Sequence, residues 1–188
     1  MLNADDPFVA KMRDAKDGTT ILFGLNSPVD VLAAEVGQDQ DGRPEFTLVA
    51  SEGETRVHLP VLGRYNVYNA LAAASVGILF HMKLDEIRKA LESYSGAPMR
   101  MQKTVVDVDS FKFPRTRGLR GVMIIDDTYN SNPVSLRAAV DLLSEARCDG
   151  KRIAVVGDML ELGERSGEFH REAGYYIADR PIHTLITV

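Results

Sequence analysis

The chain has 188 residues, 45% of them hydrophobic and 26% charged, with a net charge of −5. That is an ordinary globular composition, long enough for one or two cored domains, and its acidity argues against a nucleic-acid partner, whose phosphates need a basic face. One cysteine, Cys148, excludes an intrachain disulfide and favours a cytoplasmic home, while no apolar run is long enough to span a membrane and MLNADDPFVA does not read as a signal peptide.

Asn3 to Asp6 reads as a polar loop in which either Asp5 or Asp6 caps a short helix that tolerates Pro7 in its first turn. Thr19 to Leu25 is a β-rich run ended by the turn signal Asn-Ser-Pro. Val31–Val36 and Glu45–Ala50 flank QDQDGRP and predict a hairpin with a loop longer than two residues; Thr55–Leu59 alternates and predicts a third antiparallel strand. Tyr65 to Phe80 is so rich in small and apolar residues that it predicts a helix buried all round. Leu84–Tyr94 predicts an amphipathic helix with Asp85 and Glu86 in its first turn. Gly96 and Pro98 then break the pattern and set the expected domain boundary, giving domains 1–97 and 98–188.

Beyond that boundary Gln102–Val108 predicts a strand, PRTRGLRG a basic turn, Val122–Ile125 a strand and Pro133–Ala146 a helix. Arg152–Val156 predicts another strand, followed by the loop GDMLELGERSG, a helix from about Glu168 to Ala178 and a last strand, HTLITV. A βαβαβ order implies a parallel sheet, so VMII and IAVV are expected side by side. The chain ends on a strand with no helix after it, which suggests part of a longer domain. The fold class is α/β.

The chemistry concentrates in IIDDTYNSNP, where an apolar strand ends in a polar loop that leads into a helix. Ligands in open α/β sheets sit at such carboxyl ends. One residue there caps the helix, but a cap alone does not account for Asp126, Asp127, Tyr129, Asn130 and Asn132 within seven positions. Asn66 and Asn69, three apart, share a face at the start of the small-residue helix. Asn66 reads equally as an N-cap, whereas the donor and acceptor of Asn69 suit the edge of an adenine. Arg100, at the boundary, suits a phosphate or ribose, with a surface ion pair as the plain alternative. His170 follows the GDMLELG loop on a helix, while the other three histidines read as packing or surface. No histidine pair has metal-ligand spacing, and the chain contains no GxxxxGK[ST], GxSxG or GxGxxG motif.

LNADD, GRYNVYNALAAASVG, MRMQ, IIDDTYNSNPVSLRAAVDLL and KRIAVVGDMLELGE, in this order and spacing, resemble the Mur ligases of peptidoglycan synthesis. Within that family DDTYNSNP and GDMLELGE are most similar to the branch that joins D-Ala-D-Ala to UDP-N-acetylmuramoyl-tripeptide. The resemblance implies the second half of a central ATPase domain, of helices and antiparallel strands and lacking its P-loop. After it comes the first part of a C-terminal Rossmann-like parallel-sheet domain, incomplete at its C-terminus. It implies ATP and Mg²⁺ as cofactors, an acyl-phosphate intermediate and a monomer, with the P-loop lysine and the metal ligands lying upstream of LNADD.

Carried over residue by residue, Asn66 and Asn69 match the asparagines at the adenine, Arg100 the arginine reaching ribose and phosphates, and Asp127 the aspartate accepting from ribose hydroxyls. Tyr129, Asn130 and Asn132 match the loop near the reacting centre and incoming amine. No catalytic residue and no metal ligand is assigned within this chain, and the chain alone is expected to be inactive. Tyr65 departs from the histidine of many members. The rival readings are a non-catalytic nucleotide- or partner-binding module and another amide ligase of the Mur or folylpolyglutamate type.

Overall fold

The computed structural model describes residues 1–15, 18–26, 28–107 and 121–188. They form two compact units, Met1–Ser95 and Gly96–Val188.

The first unit is built on one mixed sheet in the order β1 (Leu2–Asn3), β2 (Leu22–Gly24), β3 (Val31–Gln38), β4 (Pro44–Ala50), β5 (Gly53–His58). The hairpin β3–β4 and the third strand β5 pair antiparallel, as the alternating pattern requires. Their five-residue loop, 39–43, is closed by the Asp39 carboxylate, which accepts from the Asp41 and Arg43 N–H groups at 2.8 and 2.9 Å. β1, β2 and β3 are instead mutually parallel. The expected loop at Asn3 thus begins as strand, because two residues carry no periodicity and only the neighbouring β2 identifies them. The expected strand from Thr19 contracts to Leu22–Gly24. Asp6 settles the choice of cap, since its carboxylate accepts from Phe8 and Val9 N–H at 2.8 and 3.1 Å and starts α1 (Pro7–Ala10). A 3₁₀ turn over Lys11–Ala15 follows.

The core of this unit is the inner face of the sheet, with Val31, Phe46, Leu48 and Val57, covered by α2 (Asn66–Leu79) through Val67, Ala70, Leu71 and Ala74. α3 (Leu84–Glu92) adds Ile87. The expectation that α2 is buried all round is corrected. Val76 and Leu79, and Phe80 just beyond them, are exposed, at 73% for Phe80, because the sheet covers only one side of the helix. Apolar composition records what a surface tolerates; the neighbour that covers it is a tertiary fact.

In the second unit β6 (Gln102–Val106) pairs antiparallel with β7 (Val122–Asp126), and β8 (Ile153–Val156) pairs parallel with β9 (Thr184–Thr187). α4 (Pro133–Glu145) and α5 (Ser166–Ala178) pack together, and each has one buried residue, Val140 and Ile177. Their contact is laced by Asp141, which accepts from the Tyr176 hydroxyl at 2.7 Å and from Arg180 Nε at 2.9 Å. The parallel unit β8–α5–β9 agrees with the sequence reading. The adjacency of VMII and IAVV does not: among the described residues no ladder joins β7 to β8. Consecutive strands pair only about two-thirds of the time, and periodicity reports burial rather than partner. The basic turn PRTRGLRG lies outside the described residues except for Gly121, and the strand expected to Val108 ends at Val106.

Leu48, with no exposed surface, and exposed Phe80 give a contrast. Leu48→Ala is expected to cost about 2–5 kcal/mol in urea denaturation, and Phe80→Ser no more than about 0.5 kcal/mol.

Candidate functional site

In the second unit β7 ends at Asp126, and the loop after it divides its polar groups by role. Asp126 Oδ1 accepts from both the Thr128 N–H (3.1 Å) and the Thr128 hydroxyl (2.7 Å), a local turn that shapes the loop. Asn132 is the N-cap of α4: its Oδ1 accepts from Val134 and Ser135 N–H at 3.0 and 2.9 Å, and Ser135 Oγ returns the contact to the Asn132 N–H at 3.0 Å. Pro133 completes the start, since its missing N–H is unneeded there. Asn130 Oδ1 accepts from the Ser131 N–H at 2.9 Å. Both asparagines therefore have their acceptors committed to the loop, which leaves their N–H₂ groups for anything else.

Asp127 and Tyr129 reach instead to the segment around Arg100. Asp127 Oδ1 accepts from the Met101 N–H at 3.1 Å, and the Tyr129 N–H donates to the Met99 carbonyl at 3.1 Å. The Arg100 guanidinium carbon stands 4.1 Å from the centroid of the Tyr129 ring, a cation–π contact. Met99 and Met101 both adopt left-handed backbone, φ 57° and 48°. Such residues cost of order 1–3 kcal/mol each and persist only where their surroundings over-determine them. Here the Met101 bond to the Asp127 carboxylate, the Met99 bond to the Tyr129 N–H and the buried Met101 side chain do so. Arg100 is thus presented from a strained, clamped segment with its face on an aromatic ring. Burial raises the Asp127 pKa, against the lowering effects of the Met101 N–H and the Arg100 charge, and Asp126 adds to the rise.

The second feature is at the end of β8. Asp158 to Gly163, with Ser166 and His170, line an open cleft of about 440 Å³. His170 Nε2 accepts from the Met159 N–H at 3.0 Å, which places the ring proton on Nδ1, 2.8 Å from the Ser166 carbonyl. His170 so pins the GDMLELG loop to the first turn of α5. Asp158 Oδ1 is 3.7 Å from Nε2.

In the first unit Asn66 and Asn69 do meet. Asn69 Nδ2 donates to Asn66 Oδ1 at 2.9 Å, and Asn66 Nδ2 donates to the Leu62 carbonyl at 2.7 Å. The N-cap is Tyr65, with no side-chain capping bond, so Asn66 lies inside the helix. Gly63, at φ +93°, makes the turn before it; a Cβ there would come within 2.6 Å of the Tyr65 ring. Asn69 is exposed and its carbonyl oxygen is uncommitted among the described residues.

The sequence reading missed Asp5 and Tyr68. The Asp5 carboxylate accepts from Leu25 N–H (2.6 Å), Asn26 Nδ2 (2.8 Å) and the Tyr68 hydroxyl (3.1 Å). The pair Asp5-Asp6 was the available signal, because one cap leaves the other carboxylate unexplained. Among the described residues no three His, Cys, Asp or Glu side chains converge as a metal site.

With that geometry in view, the comparisons are specific. Residues 1–77 match the model of the Mur ligase middle domain, and 113–188 that of the Mur ligase, glutamate ligase domain. The UDP-N-acetylmuramoyl-tripeptide–D-alanyl-D-alanine ligase of Bacillus subtilis is 31% identical over 97% of this chain. The chain spans 36% of that relative's length. A crystal structure of MurF from Acinetobacter baumannii superposes with a TM-score of 0.81 at 30% identity, over 99% of this chain and 37% of that one. MurF ligase from Thermotoga maritima in complex with ADP gives 0.73 at 25% identity, over 97% and 43%.

A carboxyl whose pKa rises on folding holds its proton more tightly in the folded state. Its stabilising contribution is present below the unfolded value, about 3.9 for Asp, and is lost as pH rises through the folded one. Asp127→Asn keeps an acceptor for Met101 and is expected to raise the thermal midpoint at pH 7, with the gain shrinking towards pH 4 in thermal scans.

Proposed function

The chain belongs to the Mur ligase family, and from that premise we propose that it carries the adenosine-side and incoming-amine-side parts of an ATP-dependent ligase. The reaction joins D-Ala-D-Ala to UDP-N-acetylmuramoyl-tripeptide through an acyl phosphate. Residues 1–97 stand as the second half of the central ATP-binding domain and 98–188 as the first part of the C-terminal ligase domain. The whole works as a cytoplasmic monomer without nucleic-acid or membrane partners.

The observation that carries the reading is the Met99–Met101 segment, tied to Asp127 through the Met101 N–H and laid on Tyr129 through Arg100, close enough for the Arg100 charge to act on Asp127. It puts a cation and an acceptor-only group together, as a ribose with its phosphates requires. Asp127 accepts from ribose hydroxyls through the lone pairs that Met101 leaves open. Arg100 reaches ribose and phosphates with its fork of donors. Asn69 offers its free carbonyl to an amino donor on the adenine edge, with Asn66 holding it. Tyr129, Asn130 and Asn132 face the reacting centre and the incoming amine, the two asparagines through their remaining N–H₂ donors.

ATP supplies the phosphoryl group that activates the carboxylate. This chain's contribution is to orient the nucleoside and the amine, and positioning of reactants accounts for much of such a rate gain. Mg²⁺ belongs to the same chemistry, but the described residues offer it no donor cluster. With no GxxxxGK[ST] segment in the sequence to cradle phosphates, the chain by itself is a binding and positioning body.

Phosphate release from the 188-residue chain with ATP, Mg²⁺, tripeptide substrate and D-Ala-D-Ala is expected to stay at background. Turnover comparable to a full-length ligase would refute the division of labour. Asn69→Ala is expected to weaken ADP binding about tenfold, the effect of losing roughly one good hydrogen bond, as read by NMR titration.

A further inference from the structure

The hydrogen bond between Tyr68 and Asp5 has no part in the nucleotide contacts above, yet it joins the helix that carries them to the edge of the sheet. Just after β1, Asn3 Oδ1 accepts the Asp5 N–H at 3.1 Å and the Ala4 N–H bonds the Phe23 carbonyl at 2.9 Å, so the Asp5 side chain is aimed across the end of β2. There it takes the Leu25 N–H at 2.6 Å and Asn26 Nδ2 at 2.8 Å. A Cβ on Gly24 would lie 2.8 Å from Asp5 Oδ2, so the approach needs glycine at that position. The carboxylate already holds two donors before the helix contributes anything. Its remaining reach goes to the Tyr68 hydroxyl, 3.1 Å away, on the first turn of α2 between Asn66 and Asn69.

That first turn has no side-chain cap and is tied to the preceding loop through Asn66. Tyr65 makes no side-chain cap, no acidic residue sits in the turn, and the Asn66 amide is committed to Leu62 and Asn69. Val67 and Ala70 anchor the helix by non-directional packing. A rotation of about 10° around the helix axis moves a side-chain tip, 5–6 Å from that axis, by about 1 Å. A displacement of that size is enough to lose an oriented contact.

We propose that Asp5 and Tyr68 are positioning residues: their hydrogen bond sets the rotation of α2 on the sheet edge, and with it the pose in which the Asn66–Asn69 pair meets a purine base. The inference rests on the adenine reading of those asparagines. Electrostatics agree with the geometry. Burial works against ionisation of Asp5, but the bonds from Leu25, Asn26 and Tyr68 outweigh it and hold the pKa below the usual carboxylate value. Burial and the bond to Asp5 raise the Tyr68 phenol. At neutral pH a charged acceptor therefore faces a neutral donor. At 3.1 Å the contact is longer than the strongest bonds of this type, about 2.5–2.7 Å, and longer than the 2.6 Å bond from Leu25.

The test is a ¹⁵N NMR titration of the full chain with ADP and with GDP, following the side-chain amides of Asn66 and Asn69, for the wild type, Tyr68→Phe, Asp5→Asn and Asn69→Ala. Tyr68→Phe removes one oxygen and is expected to keep the dispersed spectrum. It is also expected to weaken ADP about threefold to tenfold, on the scale of one hydrogen bond, and to bring the ADP/GDP affinity ratio towards one. Asp5→Asn keeps an oxygen for both Leu25 and Tyr68 but removes the charge that strengthens the bond from Tyr68, and is expected to move the ratio in the same direction by a smaller factor; it decides the matter should Tyr68→Phe not fold. An unchanged ratio in both, with the ratio collapsed in Asn69→Ala, overturns the positioning role and leaves the adenine reading standing. An unchanged ratio in Asn69→Ala, or no response of the wild type to ADP, overturns the adenine reading and this inference with it.

Discussion

Both units depend on the same physical constraint: a carboxylate placed at the end of a strand and partly withdrawn from water must be answered by donors. Asp5 follows β1 and Asp127 follows β7, and each is met by a backbone N–H from another segment, Leu25 in one case and Met101 in the other. The outcomes differ in sign. Asp5 collects three donors, enough to overcome burial and lower its pKa. Asp127 collects one, is helped by Arg100, and stays raised. A satisfied carboxylate serves as a fixture of the fold. An under-satisfied one retains lone pairs for a ligand and costs stability while it waits.

The contrast also orders the polar residues around each aspartate. Around Asp5 the geometry is closed: Gly24 admits it and Tyr68 completes it. Around Asp127 the geometry is clamped but open, with Arg100 laid on Tyr129 between two left-handed methionines. Backbone strain of that kind is retained where orientation of a side chain matters more than the last increment of stability. The asparagines repeat the division on a smaller scale. Asn132 caps α4 and Asn66 braces its neighbour, whereas Asn69 is exposed and its carbonyl is uncommitted among the described residues.

Much of this was legible in the residues. The β3–β4 hairpin followed from the turn residues Asp41-Gly42 between two runs, α3 from its amphipathic period, and the start of α4 from Asn132-Pro133, since local rules of caps and turns act over three or four residues. The pattern was silent on β1, which is too short to have a period. It misled on α2, whose apolar composition gave no hint that Phe80 would stand open. It also misled on the adjacency of VMII and IAVV, because the order of strands in a sheet is set by crossovers, which leave no mark in either strand.

What the sequence determined by itself was the set of local elements, the polar loops at the ends of strands and the family to which those loops belong. Each of these is encoded by neighbours along the chain. What only the tertiary structure decided was which carboxylate does what. Asp5 and Asp6 are adjacent and chemically identical, as are Asp126 and Asp127, and no spacing rule separates them. Asp6 and Asp126 turn back to their own segments, to Phe8 and Thr128. Asp5 and Asp127 turn to Leu25 and Met101, residues 20 and 26 positions away. The ionisation and role of a carboxylate depend on the donors that surround it, and long-range folding supplies those donors.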